Sequence, residues 1–250
     1  MRILLIRHGD PDYDNDTLTE KGRREAALLA EAAPHMNLGT CFVSPLGRAQ
    51  DTAAYSLEKT GRTAETLDWL REFPARVDLA KNPEFGDIYL HVCGKDGKRG
   101  MWDMIPAYWT EHEEYFDCGR WRESEIVRCT DVAETYDRVT TAFDDFLSQR
   151  GYVREGRHYR VERATMETVT FFCHFGISCV LLSHLWNISP FILWHCLALA
   201  PTSVTEERQR GIASFRGLRV GDISHLYAGH EPASFAARFA EVYDDMEHRH

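Results

Sequence analysis

The run Ile3-Leu4-Leu5-Ile6, closed by Arg7-His8-Gly9, constrains this chain more than any other segment. Four consecutive apolar residues are too few for a helix, and they leave neither face of a strand polar. A strand of that kind has to be covered on both sides, which is the condition of a parallel sheet between two layers of helices. The elements that follow keep the rhythm. Thr17 or Thr19 can cap a helix running to about Ala33, and Thr40 to Val43 reads as a second strand. Ser44-Pro45 ends that strand and opens a helix from about Leu46 to Lys59, after which Ala64 to Leu67 reads as a third strand. Strand–helix–strand–helix–strand predicts a three-layer α/β/α sandwich with a mostly parallel central sheet.

Residues 76–124 break the rhythm. They hold Pro83, Pro106, the glycines Gly94, Gly97 and Gly100, and the aromatics Trp102, Tyr108, Trp109, Tyr115, Phe116 and Trp121. This stretch reads as an inserted, partly helical cap on one domain of 250 residues, its aromatics forming local core. Asp131 to Arg150 has Val132, Tyr136, Val139, Phe143 and Phe146 at helical spacing. Tyr152 to Val161 reads as a polar hairpin, Ser203–Glu207 and Ile212–Leu218 as two further strands, and 232–247 as a terminal helix.

Between Glu167 and Glu206 there is no Asp, Glu, Lys or Arg, a length that would span a bilayer. His174, His184, Asn187, Pro190 and His195 interrupt it. It divides more naturally into a buried strand, Thr168 to Cys173, a helix to about Trp186, and a second helix opened by Ser189-Pro190. No membrane association is therefore expected. The N-terminus does not read as a signal peptide, because its apolar run is too short. The seven cysteines are scattered without a CxxC pair, as expected of reduced thiols in a cytoplasmic protein. A net charge of −10 with no long basic run argues against nucleic acid as a partner.

Three segments carry chemistry. Arg7-His8-Gly9 lies where the first strand ends, and ligands of open α/β sheets bind at the carboxyl ends of strands. A neutral imidazole is a fair nucleophile near pH 7, and an anionic electrophile such as phosphate needs fixed positive charge around it. Arg7 supplies one guanidinium, whose planar fork matches phosphate oxygens. Arg48, in Ser44-Pro45-Leu46-Gly47-Arg48-Ala49-Gln50-Asp51-Thr52-Ala53, would project from the first turn of a helix at the same sheet edge. His174, in Cys173-His174-Phe175-Gly176, stands at another strand-to-helix junction, where free N–H groups and the helix dipole favour an anion.

Taken together, Arg7, His8, Arg48 and His174 resemble the histidine phosphatase superfamily, also called phosphoglycerate mutase-like. Its marks are an RHG tripeptide after the first strand, an SPLxRAxxTA segment, a Glu after the third strand and a late second His. Here these are Arg7-His8-Gly9, Ser44 to Ala53, Glu72 and His174, in that order along the chain. The resemblance implies that His8 is the nucleophile and phosphohistidine carrier. It implies that Arg7, Arg48 and His174 bind the phosphoryl oxygens, with His174 also catalytic, and that Glu72 protonates the leaving alkoxide. It implies a phosphatase acting on a small phosphorylated substrate without metal or other cofactor. The same four residues also suit a mutase that returns the phosphoryl group to another hydroxyl. A binding module that has lost turnover is a third alternative. One position departs from the pattern: many members carry Asn six residues after the nucleophile, and this chain has Asp14. No phosphate contact is carried over from that loop. The alternation Asp10, Asp12, Asp14, Asp16 is not an EF-hand loop, since Asn15 and Lys21 stand where Gly and Glu belong. His184, His195 and His225 are expected to be structural.

Overall fold

A computed structural model describes residues 1–89, 97–210, 214–234, 240–242 and 245–249. The fold is mixed α/β, with a central six-stranded, mostly parallel sheet flanked by helices. In chain order its strands are β1 (Arg2–Arg7), β2 (Thr40–Val43), β3 (Ala64–Thr66), β4 (Thr168–Cys173), β5 (Val204–Arg210) and β6 (Ser214–Asp222). Their spatial order is β6-β5-β1-β4-β2-β3. β1, β4, β2 and β3 pair parallel with their neighbours, and β5 runs antiparallel to both β1 and β6. Ile3, Leu4, Leu5 and Ile6 are at most 2% exposed, as the continuous apolar run requires. At about 1.5–3 kcal/mol for each such side chain, their burial contributes roughly 6–12 kcal/mol before conformational entropy is subtracted.

The chain divides into two compact units. The first comprises Met1–Glu72, Val161–Phe175 and Ala198–His250. It holds the sheet and the helices α1 (Glu20–Ala32) and α2 (Gly47–Thr60). Thr19 caps α1, its side chain accepting from the Gly22 amide. The two helices pack on each other, and Leu29, Ala49, Ala53, Leu4, Val43 and Phe172 share one apolar cluster.

The second unit comprises Phe73–Arg160 and Gly176–Leu197. Arg76–Asp78 and Lys98–Gly100 form an antiparallel ribbon within it. The helix α3 (Val132–Ser148) buries Val132, Tyr136, Val139, Phe143 and Phe146. Aromatic rings surround Phe191, with Tyr115 at 4.5 Å, Trp194 at 5.1 Å and Trp121 at 5.9 Å between centroids. Tyr115 and Trp121 are fully buried, so these insertion aromatics pack as core.

The uncharged segment becomes β4, then α4 (Phe175–Trp186), then α5 (Pro190–Cys196), whose first turn is capped by Ser189. α4 is buried on nearly every side, which is why its sequence lacks a polar face. Among the described residues, no helix is long and apolar enough to cross a membrane. Tyr152–Glu155 and His158–Val161 form the expected hairpin. The three outlying histidines are held locally: His184 by Asp144 at 2.9 Å, His195 by the Phe191 carbonyl at 2.8 Å, and His225 by Thr202 at 2.9 Å.

One expected element is corrected. In place of a terminal helix over 232–247, Ala240–Val242 pairs antiparallel with Asp245–Arg249. Cross-strand bonding between these two short segments takes the place of the intrahelical ladder that the residue spacing permits. Positions 235–239, 243 and 244 of that expected helix lie outside the described residues, as does Cys93.

Candidate active site

Register explains how residues far apart in sequence come together. Arg7 pairs with Cys173, Phe172 with Val43, and Val43 with Thr66. Three adjacent parallel strands therefore end at one level, and the next residues off them are His8, His174 and Ser44. The two imidazoles stand 5.1 Å apart between ring centroids, tilted by 57°. Both are buried, His8 at 1% exposure and His174 at 0%.

The His8 ring is fixed by its own backbone neighbour. Its Nδ1 lies 2.7 Å from the Gly9 carbonyl oxygen. A carbonyl can only accept, so Nδ1 carries the proton and the neutral ring keeps its lone pair on Nε2. The main chain around the ring is tied on three sides. His8 N–H donates to the Cys173 carbonyl at 3.0 Å, the His8 carbonyl accepts from Thr202 N–H at 3.1 Å, and Gly9 N–H donates to Thr52 Oγ1 at 2.9 Å. Thr52 in turn donates to the Arg48 carbonyl at 2.7 Å, which joins the His8 loop to the first turn of α2. Gly9 has a steric reason to be glycine: a Cβ there would lie 2.7 Å from the Gly22 carbonyl oxygen.

Burial, and after it the charges of Arg7 and Arg48, hold the His8 pKa well below the ordinary histidine value; the Gly9 bond opposes them. The His174 pKa is likewise well below that value, through burial first and then His8, Arg48 and Arg7. Both rings are thus neutral at pH 7. Two guanidinium groups are close enough to bias both rings, which is the electrostatic setting of an anion site.

Arg7 donates from Nη1 to the Leu199 carbonyl, and its guanidinium stands 5.6 Å over the Phe175 ring. Arg48 is 8% exposed and its Nη1 meets Asp16 Oδ1 at 2.6 Å. Asp16 Oδ2 accepts from Gly47 N–H at 2.7 Å, so this carboxylate caps α2 from a distant loop. Asp14 is exposed, its amide bonded to Asp12. Glu72 follows the turn Asp68–Leu70 beyond the end of β3 and is partly buried.

The structure therefore brings together His8, His174, Arg7 and Arg48, and adds residues that the sequence reading did not single out. Ser44 Oγ lies 2.7 Å from His174 Nε2 and also accepts from Leu46 N–H at 3.2 Å. Asp16 holds Arg48, Thr52 holds Gly9, and Glu25 accepts from the Asp10 amide. Ser44 and Thr52 lay within the quoted segment 44–53. Glu25 had its own signal, a carboxylate on the buried face of α1 beside Gly22, Ala26 and Leu29. Asp16 had none, because its approach depends on a left-handed turn at φ 49°.

Residues 3–77, which include His8, Arg48 and Glu72, match the family model of the histidine phosphatase superfamily, branch 1. Over that segment the chain is similar to the superfamily. A 2,3-bisphosphoglycerate-dependent phosphoglycerate mutase of Thermoplasma acidophilum is 32% identical over 118 residues, which is 41% of this chain. The match spans 59% of the length of that relative. Among solved structures, a phosphoserine phosphatase variant from Entamoeba histolytica in complex with phosphoserine superposes with a TM-score of 0.59 at 15% identity, over 90% of this chain and 98% of that one. A mycobacterial glucosyl-3-phosphoglycerate phosphatase complexed with VO3 gives 0.53 at 17% identity, over 88% and 98%. The alpha-ribazole phosphatase of Shigella flexneri gives 0.53 at 15%, over 88% and 97%. At these identities the likeness is one of fold.

Proposed function

We propose that this protein is a phosphomonoesterase of the histidine phosphatase superfamily, acting on a small phosphorylated substrate through a phosphohistidine on His8. One observation carries the reading: His8 is a buried, neutral imidazole whose Nδ1 proton is committed to Gly9, leaving the Nε2 lone pair to react. Nε2 attacks phosphorus and the ester oxygen departs with the bonding pair. Arg7 and Arg48 hold the equatorial oxygens throughout, and His174 donates a hydrogen bond, so charge is stabilised without a metal ion. Glu72 protonates the departing alkoxide and then takes a proton from the water that releases phosphate from His8. Acid–base assistance of this kind is worth about 10²–10⁴ in rate. We place the enzyme in the cytoplasm and expect neither nucleic acid nor membrane among its partners, in keeping with the net charge of −10.

The mutase name of the 32%-identical relative supports a second reading, in which His8 returns the phosphoryl group to a different hydroxyl of the bound molecule. Release of phosphate without an isomerised product favours the first reading; efficient isomerisation without release favours the second. Hydrolysis of an aryl phosphate tests the shared half-reaction. His8→Ala should abolish it, together with the acid-labile phosphoenzyme, and activity retained in that variant overturns both readings. Glu72→Ala should slow alkyl phosphates about 10²-fold or more and aryl phosphates far less, since a phenolate leaves without a proton. Equal losses would remove Glu72 from the acid role.

A further inference from the structure

The peptide joining Gly9 to Asp10 is bonded at both ends. Its carbonyl accepts the His8 Nδ1 proton at 2.7 Å, and its N–H donates to Glu25 Oε2 at 2.8 Å. Glu25 projects from α1 and is fully buried. Its other oxygen, Oε1, makes no hydrogen bond among the described residues. The cation facing it is Lys21, at 3.8 Å from the same helix, and Lys21 also bonds Glu231 at 2.9 Å. The Asp10 side chain faces it from the nucleophile loop, satisfied by Thr19 at 2.7 Å and Ser234 at 2.6 Å. An ionised carboxylate in such a place costs several kcal/mol unless it is compensated. Packing does not explain it, since an apolar residue would fill the same face of α1 beside Ala26 and Leu29.

We propose that Glu25 is a positioning residue for the nucleophile, acting on His8 through the intervening peptide: Glu25 carboxylate, Asp10 N–H, Gly9 C=O, His8 Nδ1–H. Hydrogen bonds in series polarise one another, so a carboxylate on the N–H end makes the carbonyl end a stronger acceptor. A stronger acceptor holds the Nδ1 tautomer and raises electron density at Nε2. When Nε2 bonds to phosphorus the ring becomes cationic, and the same carbonyl stabilises that charge. No proton leaves Nδ1 at any stage. Glu25 touches no reacting atom; its effect is a field transmitted by one amide.

The arrangement has a pH signature. Burial raises the Glu25 pKa to about 7, with the Asp10 and Glu231 charges adding to the rise and the Asp10 amide and Lys21 opposing it. His8 does not titrate there, its own pKa lying well below 6.5. The ring nitrogens of His8 should therefore respond near pH 7 to a proton that binds elsewhere.

The test follows the ¹⁵N shifts of the His8 ring in the intact protein from pH 6 to 8.5, with the signals assigned by their loss in His8→Ala. A titration with a midpoint near 7, absent from Glu25→Gln, is expected. Flat His8 shifts in the wild-type protein overturn the proposal, and that outcome needs neither a folded Glu25 variant nor any enzymatic activity. The kinetic consequence rests on the phosphohistidine reading. Glu25→Gln keeps an acceptor for the Asp10 amide but no charge, and should lower kcat at pH 8 about three- to tenfold with KM unchanged. It should also lose the limb of the pH profile near 7. A Gln variant with wild-type kcat and profile likewise overturns the proposal. A protein with no phosphatase activity but a titrating His8 ring would sink the proposed function and leave the relay standing.

Discussion

Asp16→Asn should loosen the fold while tightening the grip on phosphate. The Asp16 carboxylate bridges Arg48 Nη1 at 2.6 Å and Gly47 N–H at 2.7 Å. Hydrogen bonds to charged groups contribute about 1.5–3 kcal/mol. The Asp16 side chain is 43% exposed, and screening at such a carboxylate reduces the loss on neutralising it to about 1–2 kcal/mol. The effect on phosphate has the opposite sign. A phosphate on Arg48 would sit roughly 6 Å from the Asp16 carboxylate, and at an effective dielectric of about 20 each unit of its charge is repelled by on the order of 3 kcal/mol. Solvent at the exposed carboxylate reduces that to about 1 kcal/mol, or about fivefold in affinity. Urea unfolding reads the first quantity, and competitive inhibition by inorganic phosphate reads the second. The expected pair is a lower unfolding free energy with a Ki about fivefold smaller. A variant that is as stable as wild type and binds phosphate more weakly would refute the reasoning, because Asp16 would then be supporting the anion site instead of competing with it.

The close approach of α1 to the loop after His8 is equally open to test. A Cβ at Gly22 would lie 2.2 Å from the Asp10 carbonyl oxygen and 2.8 Å from its amide nitrogen, so Gly22→Ala must displace backbone. It should cost about 1–3 kcal/mol in urea unfolding and lower kcat as well; an unaltered kcat would show that the loop moves freely of the site. Stability should also depend on pH with two opposed contributions. His8 and His174 have folded pKa values below 6.5, so their contribution is complete above about pH 6.5 and is lost as pH falls and the unfolded chain takes up protons first. Glu25, raised from 4.5 to about 7, contributes stability below about pH 4.5 that is lost as pH rises through 7. Unfolding free energies at pH 5, 6 and 7.5 should accordingly show His8→Gln flattening the loss of stability on the acid side and Glu25→Gln flattening the loss as pH rises through 7; unchanged slopes in both variants would refute these assignments.

Much of the fold is legible in the residues because local chemistry decides it. Ile3–Ile6 is apolar throughout and Thr168–Cys173 is uncharged throughout, and they become the two buried central strands, β1 and β4. Thr19 and Ser189 cap helices where a hydroxyl precedes a helical run. The uncharged stretch, long enough for a membrane span, resolves into strand and helices at His174, Ser189 and Pro190. The terminal segment misleads because its spacing permits a helix, whereas the pairing of Ala240–Val242 with Asp245–Arg249 is a cross-strand matter.

The chain alone determined that His8 and His174 each stand just past a strand, since an apolar or uncharged run and the polar residue that closes it are neighbours in sequence. Tertiary structure alone decided the strand order that sets β4 between β1 and β2, and with it the meeting of His174 with Ser44 and His8. It also decided that Asp16 reaches Arg48 and that Glu25 lies behind the Gly9–Asp10 peptide. These contacts join positions 15 to 166 residues apart. Their geometry is set by sheet register and helix packing, which no local preference along the chain encodes.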